Sequence, residues 1–213
     1  MRTAAVLPVK RFALAKQRLG ETVEDPFRRA LAEAMVSDVL DALVATDGLH
    51  EIVVVTNEAS VADAAAAHGA RIVPDEREAG QSPAAAQGIE RAVVDGAQRV
   101  LLVPGDCPAL DPRELETLLA SHAYAVVIVP DRHDRGTNAL LLAPPDVIAP
   151  SFGEDSRRRH EALAAAAGAS ACLERPASLL LDIDTGDDLR VLRDRLAAGG
   201  ERAPRTRAVL DAS

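Results

Sequence analysis

Asp106, Asp182 and Asp184 carry the strongest chemical signal in this sequence. Asp106 follows the apolar run Val100 to Val103 and the breakers Pro104 and Gly105. It is therefore expected at the carboxyl end of a buried strand, the end at which open α/β sheets place their ligand crevice. Asp182 and Asp184 stand two apart at the end of an apolar run that begins at Ser178. Strand side chains alternate, so both would point to one face of a strand end. Two carboxylates that close repel each other unless a cation lies between them. With Asp106 they could hold Mg²⁺ through oxygen ligands while nucleotide phosphates complete its shell. Structural roles stand beside this reading: Asp106 bonded to its own turn, Asp184 capping the following helix, and Asp182 in an internal salt bridge.

Lys10, Arg11, Lys16 and Arg18 lie in one segment without an acid, directly after an expected first strand from Thr3 to Val9. A basic loop at that point can cradle a triphosphate, or it can be a solvated turn. It lacks the glycines of a P-loop or of a dinucleotide fingerprint. Gly136-Thr137-Asn138 and Phe152-Gly153…Ser156 offer hydroxyls and backbone N–H groups. Gly153 permits close backbone approach, and Ser156 near a helix start could bind an anion with the help of the helix dipole. Read plainly, the two segments are a turn and a helix cap. His160 at the start of an amphipathic helix is open to a catalytic reading, though a lone His there is more often structural; His50, His68, His122 and His133 show no metal-ligand grouping. Neither a nucleophile–base pair nor a covalent mechanism is indicated.

The elements that must position these residues alternate along the chain. A helix is expected over Asp25 to Thr46, with Leu31, Met35, Val39, Leu40 and Leu43 on one side. A strand follows at Glu51 to Thr56, a helix at Glu58 to Ala67, a short strand at Arg71 to Val73 and a helix from Ser82-Pro83. Asp111 opens another helix as N-cap, with Pro112 at its first position and Glu114 closing a capping box. Strands at Ala125 to Val129 and Ala139 to Leu142 precede a helix ending near Gly168. Ser178 to Ile183 is expected as the final strand, and Leu189 to Ala197 as the last helix. This alternation is that of an α/β domain with a mostly parallel sheet flanked by helices. Residues 1–198 form the domain in this reading, and 199–213, with their Gly, Pro and Arg, a flexible tail.

Composition sets the outer limits. The 213 residues are 48% hydrophobic and 27% charged, the balance of one substantial globular domain. Aromatics are only 2%, without Trp, so the core must be built from Ala, Val and Leu. A net charge of −9 argues against a nucleic-acid surface, though a few local Lys and Arg can still receive an anionic substrate. Cys107 and Cys172 match no zinc or redox spacing, which suggests a reducing compartment. No segment is apolar for long enough to span a membrane. A cytoplasmic protein is the expectation.

Taken in order, Pro8-Val-Lys10 with Ala15-Lys-x-Arg-Leu19, Pro104-Gly-Asp-Cys-Pro-Ala-Leu110, Gly136-Thr-Asn-Ala-Leu140, Phe152-Gly-x-x-Ser156…His160 and Leu181-Asp-Ile-Asp-Thr185 form an ordered set. The set resembles the 2-phospholactate or phosphoenolpyruvate guanylyltransferases of deazaflavin coenzyme F-420 biosynthesis, over residues 1–197. The wider superfamily includes molybdenum-cofactor nucleotidyltransferases and sugar-nucleotide pyrophosphorylases. The resemblance implies a single-domain, Rossmann-like nucleotidyltransferase fold of the GT-A-like kind. It implies GTP and a three-carbon phospho-acid as substrates, Mg²⁺ as cofactor, no nucleic-acid or membrane partner, and makes a homodimer plausible.

Carried over residue by residue, it assigns Lys16, Arg18 and Asp106 to catalysis, and Asp106, Asp182 and Asp184 to the metal. Pro8, Lys10, Lys16, Gly80, Ser82 and Gly105 fall to the nucleotide, and Thr137, Asn138, Gly153 and Ser156 to the acceptor. The chain departs from the pattern at Ala79-Gly-Gln-Ser-Pro-Ala84, near the expected nucleoside, where relatives often carry a Gly-Leu-Asn-type segment. It departs again at Glu154-Asp155, whose charges are expected to point away from the anion site. A different phosphorylated acceptor, such as molybdopterin or a sugar phosphate, is opposed by the motifs after Gly136. A silent nucleotide-binding domain would not need three acids and a basic loop.

Overall fold

In the computed structural model, residues 1–12, 25–75, 78–120, 123–198 and 202–212 are described. Their strands are β1 (Thr3–Val9), β2 (Glu51–Thr56), β3 (Arg71–Val73), β4 (Arg99–Leu102), β5 (Val126–Pro130), β6 (Thr137–Leu142) and β7 (Ala171–Leu173). They form one sheet in the order β3-β2-β1-β4-β6-β5-β7. The pairs β1–β2, β1–β4, β2–β3 and β5–β7 are parallel, while β6 runs antiparallel to both its neighbours. A hairpin needs only a short turn, whereas parallel neighbours need a crossover. The loop 131–136 between β5 and β6 is accordingly the place where the direction reverses.

The helices are α1 (Asp25–Val44), α2 (Ala59–Ala67), α3 (Gln81–Val94), α4 (Pro112–Ala120), α5 (Ser156–Ala166), α6 (Gly186–Ala197) and α7 (Pro204–Asp211). A strand covered on both sides must be apolar at odd and even positions alike, and β1 shows this. Ala5, Leu7 and Val9 join the core under α1, α2 and α4, while Ala4 and Val6 join the core under α3 and α5. Gly88 lets α3 lie close against the sheet: a Cβ there would stand 2.4 Å from Cγ1 of Val6 and 2.9 Å from Cγ2 of Val55. The expected α/β architecture with a mostly parallel sheet is what forms.

Four local expectations are corrected. Leu31 and Met35 do not share the sheet-facing side of α1 with Val39, Leu40 and Leu43. They join a third core with Leu181, Ile183, Leu189, Leu192, Leu196 and Leu210, so α1 is buried on two sides. Ser178 to Ile183 is not a strand: Ala177–Leu179 is a 3₁₀ turn, and the strand in this region is β7. Glu114 does not close a capping box on Asp111. Its Oε2 accepts the backbone N–H of Ser178 at 2.7 Å, while Asp111 Oδ1 accepts the N–H of Arg113 at 3.0 Å. Finally, the expected tail contains α7, whose first turn is capped from α1. Asp38 Oδ1 and Oδ2 accept the N–H groups of Arg205 and Thr206 at 3.1 and 2.8 Å, and Leu210 and Thr206 are buried.

Candidate active site

The acidic residues meet where β4 ends. The backbone N–H of Ile183 donates to the carbonyl of Asp106 at 3.0 Å, and Ile183 is wholly buried. Asp182 and Asp184, on either side of Ile183, are thereby held beside Asp106. Both side chains line the second cavity, as the alternation of a strand would have placed them, although the segment is not a strand. Asp184 is fixed from the following helix: the Asp188 carboxylate accepts N–H from Asp184 and Thr185 at 3.2 and 2.7 Å, and the Thr185 hydroxyl at 2.7 Å. Thr185 and Asp188 form the capping box of α6, and Arg132 neutralises Asp188 at 2.6 Å. The structural role weighed for Asp184 thus belongs to Thr185. Asn138 steers Asp182, since its amide N–H₂ donates to Leu179 O at 2.7 Å and to Asp182 Oδ1 at 3.3 Å.

Burial raises the carboxyl of Asp182, and the nearby charges of Asp106 and Asp184 raise it further, to about 6. A buried carboxylate whose charge is disfavoured by two acidic neighbours is what a divalent cation would relieve. Among the described residues no group of three or more His, Cys, Asp or Glu side chains stands ready to enclose a metal. That is compatible with Mg²⁺, which takes oxygen ligands, typically one or two carboxylates with substrate phosphates and water, and rarely an all-protein cage.

Two cavities open on this point. The first, of about 260 Å³, runs between the end of β1 and helices α1 and α3; Pro8, Lys10, Gly105, Asp106, Met35, Val36 and Asp75 line it. The second, of about 770 Å³, is lined by Thr137, Asn138, Gly153, Ser156, Arg135, Asp182 and Asp106. Lys10, Gln81, Pro104, Asp106 and Asp184 belong to both. The first space draws Phe12, Ala32, Met35 and Val36 into a mixed wall, the second carries hydrogen-bond donors together with six carboxylates, and acids and a lysine stand at their junction.

The second cavity has the features of an anion site. Ser156 opens α5, where the helix dipole favours negative charge, while the N–H groups of Ser156 and Arg157 are given to the carbonyls of Gly153 and Arg135. Its Oγ is buried and meets no hydrogen-bond partner in the described chain. Gly153, at φ +109°, takes a backbone shape that side chains disfavour. Asp131 accepts N–H from His133, Arg135 and Gly136, and so shapes the loop leading into Thr137. Glu154 and Asp155 do not turn away from the cavity, as expected, but line it. Arg135 binds them at 2.8 and 3.1 Å and holds the Asp155 carboxyl below its usual range, so their charge is offset in place.

Pro8 and Gly105 line the first cavity, Thr137, Asn138, Gly153, Ser156 and Asp182 the second, and Lys10, Asp106 and Asp184 both. Gly80 lies in a small adjoining hollow with Lys10, Asn57 and Asp75. Ser82 is not in these walls; its hydroxyl accepts the N–H of Phe152 at 2.8 Å, so it ties α3 to the loop that carries Gly153. Lys16 and Arg18 lie outside the described residues. Sequence reasoning missed Gln81, which touches both cavities, and Asp75. Their only signal was proximity to Gly80 at an expected helix start. It also missed that His160 contacts Thr137 (Oγ1 to Nδ1, 3.0 Å).

Residues 3–194 match the family described as guanylyl transferase, CofC-like. The chain belongs to this family. The matched span runs from β1 through most of α6, so α7 lies beyond it. Among relatives, a phosphoenolpyruvate guanylyltransferase of Conexibacter woesei is 46% identical over 99% of this chain and 96% of its own length. Another of that name, from Streptomyces coelicolor, is 39% identical over 98% and 96%. Two solved structures share the fold: a protein described as a nucleotide-diphospho-sugar transferase from Desulfovibrio desulfuricans, with TM-score 0.79 at 20% identity over 100% and 95%, and a nucleotidyl transferase from Methanothermobacter, with TM-score 0.66 at 19% over 93% and 99%. As a member of a guanylyl transferase family, the chain is a nucleotidyltransferase. Among its described residues no helix is long and apolar enough to cross a membrane.

Proposed function

We propose that the chain transfers GMP from GTP to phosphoenolpyruvate, releasing pyrophosphate, as a step toward the deazaflavin coenzyme. The observation that carries this reading is the junction of two unlike cavities at Asp106, Asp184 and Lys10. The names of the relatives support the choice of both substrates. A phosphate oxygen of phosphoenolpyruvate attacks the α-phosphorus of GTP. The bond from that phosphorus to the α–β bridging oxygen breaks, and pyrophosphate leaves with the electron pair. The attacking oxygen is already an anion, so no general base is needed; the task is to bring two polyanions together and hold them in line.

Lys10 at the junction offsets phosphate charge, and we assign Lys16 and Arg18 to the triphosphate as well. Ser156, Gly153 and Thr137 provide donors for the carboxylate and phosphate of the acceptor. Asp106, Asp182 and Asp184 would hold Mg²⁺, which when bound supplies positive charge against the phosphates. Asn138 holds the Asp182 carboxylate, and Asp188 holds the backbone of Asp184. A cytoplasmic location and a homodimer accompany this reading.

Pyrophosphate release from GTP and Mg²⁺, measured with phosphoenolpyruvate, 2-phospholactate and a sugar phosphate in turn, tests it. Release that depends on phosphoenolpyruvate is expected. Release only with a sugar phosphate, or with none of the three, would reject the acceptor.

A further inference from the structure

The acceptor cavity has a second layer behind Thr137, and the hydrogen-bond roles there can be worked out. The imidazole of His160 is completely buried. Its Nε2 lies 2.9 Å from the backbone nitrogen of Ser151, and its Nδ1 lies 3.0 Å from Oγ1 of Thr137. A backbone N–H can only donate, so Nε2 must accept and carries no proton. A neutral imidazole then has its proton on Nδ1. That N–H donates to Thr137 Oγ1, which leaves the hydroxyl's own proton to be given elsewhere. Among the described residues Thr137 Oγ1 has no other protein partner, and Thr137 lines the cavity.

We infer that His160 is a positioning residue: through its Nδ1–H it turns the Thr137 hydroxyl into a donor aimed at an oxygen of the acceptor substrate. The inference rests on the assignment of this cavity to the acceptor. It deepens that assignment, because it states which way one of the hydrogen bonds runs. A ligand with an anionic oxygen at this point satisfies the proton, whereas a ligand with nothing to accept it leaves a buried donor unpaired, and such mismatches are a source of discrimination.

Several features keep the ring in this state. The charged group beside it is Arg159, whose guanidinium is engaged with Ser151 and Phe152 carbonyls. Burial first, and then that positive neighbour, lower the imidazole to about 4, so it is neutral at physiological pH. The ring of Phe152 meets it edge-on, with centroids 5.4 Å apart. The same imidazole therefore joins the start of β6 to the 151–153 loop, the two sides of the cavity that carry Thr137 and Gly153.

The test has a spectroscopic and a kinetic arm. In the whole protein labelled with ¹⁵N-histidine, the His160 signal, identified by its loss in His160→Gln, should show the Nδ1–H tautomer at pH 7. An Nε2–H tautomer or an imidazolium would overturn the inference whatever the substrate. In kinetics, Thr137→Val should raise the KM for phosphoenolpyruvate about 10- to 150-fold, the size of a hydrogen bond to a charged group, and leave that for GTP unchanged. His160→Gln keeps an acceptor for Ser151 but loses the donor, and should show the same selective loss. In His160→Asn the amide N–H replaces Nδ1–H and should restore most of it. The double variant Thr137→Val/His160→Gln should be no worse than Thr137→Val alone. Additive losses, or equal losses for GTP and phosphoenolpyruvate, would mean that His160 merely holds the fold. If the wild-type enzyme ignores phosphoenolpyruvate but uses another acceptor, the acceptor assignment fails. The same variants measured with that acceptor, and the tautomer, then still decide the role of His160.

Discussion

Replacing Asp182 by Asn should make the protein more stable while removing its activity. In the folded chain the Asp182 carboxyl rises from 3.8 to about 6, through burial and then through Asp106 and Asp184. A raised acid pKa means that between pH 4 and 6 the folded state keeps a proton that the unfolded state has released. Stability therefore falls as pH rises through that window, and the full penalty is present at pH 7. A shift of roughly two units corresponds to about 3 kcal/mol, which solvent screening of a partly exposed group reduces to about 1–2 kcal/mol. Asn keeps the shape and an oxygen that can accept from Asn138, and it loses the charge. In metal-free buffer at pH 7.5, urea unfolding should show Asp182→Asn more stable by about 1–2 kcal/mol. That advantage should vanish near pH 4, and Mg²⁺ should narrow it by stabilising the wild type. A variant that is less stable at pH 7.5, or an advantage that does not change with pH, would refute the reasoning.

Other substitutions separate binding from folding. Ser156→Ala removes a hydroxyl with no partner in the described chain, so its melting temperature should be unchanged. The KM for phosphoenolpyruvate should rise about 10- to 150-fold, the value of a hydrogen bond to a charged group, with that for GTP unaffected. Asp38→Ala uncaps α7 and should cost about 1–2 kcal/mol, with hydrogen exchange rising first over residues 204–211. Gly88→Ala would force a Cβ against Val6 and Val55; denaturant unfolding should show a loss of about 1–3 kcal/mol.

The alternating elements were legible because apolar periodicity is a local property, and β1, β2 and β4 are apolar on both faces. The acids were legible for a related reason: spacing two apart puts strand side chains on one side, and Asp182 and Asp184 line one cavity even without a strand. What could not be read were substitutions of one partner for another. Leu179 to Leu181 are as apolar as a strand, yet side chains take the place of sheet neighbours. Asn138 and Cys107 donate to the Leu179 carbonyl, and Glu114 accepts from Ser178. The capping box expected at Asp111 was lost because Glu114 serves that distant turn. At α7 a signal was present, since Pro204 at a helix start is a standard beginning. The cap itself comes from Asp38, 168 positions from Thr206, and no local pattern shows it.

The reversal of β6 connects these observations to function. Leu102 near the carboxyl end of β4 pairs with Leu140, and Val100 pairs with Leu142. The beginning of β6, with Thr137 and Asn138, thus lies at the sheet end where Asp106 emerges. A parallel strand in this position would place its own carboxyl end there, with Leu142, and would leave the cavity an apolar wall. The antiparallel insertion instead supplies one hydroxyl to the second cavity and one amide to Asp182. The loop that makes the turn supplies Arg132 to Asp188 and Arg135 to Glu154 and Asp155. A single change of strand direction therefore supplies the hydroxyl and amide on one wall of the second cavity, steers the Asp182 carboxylate and offsets the two acids at the rim.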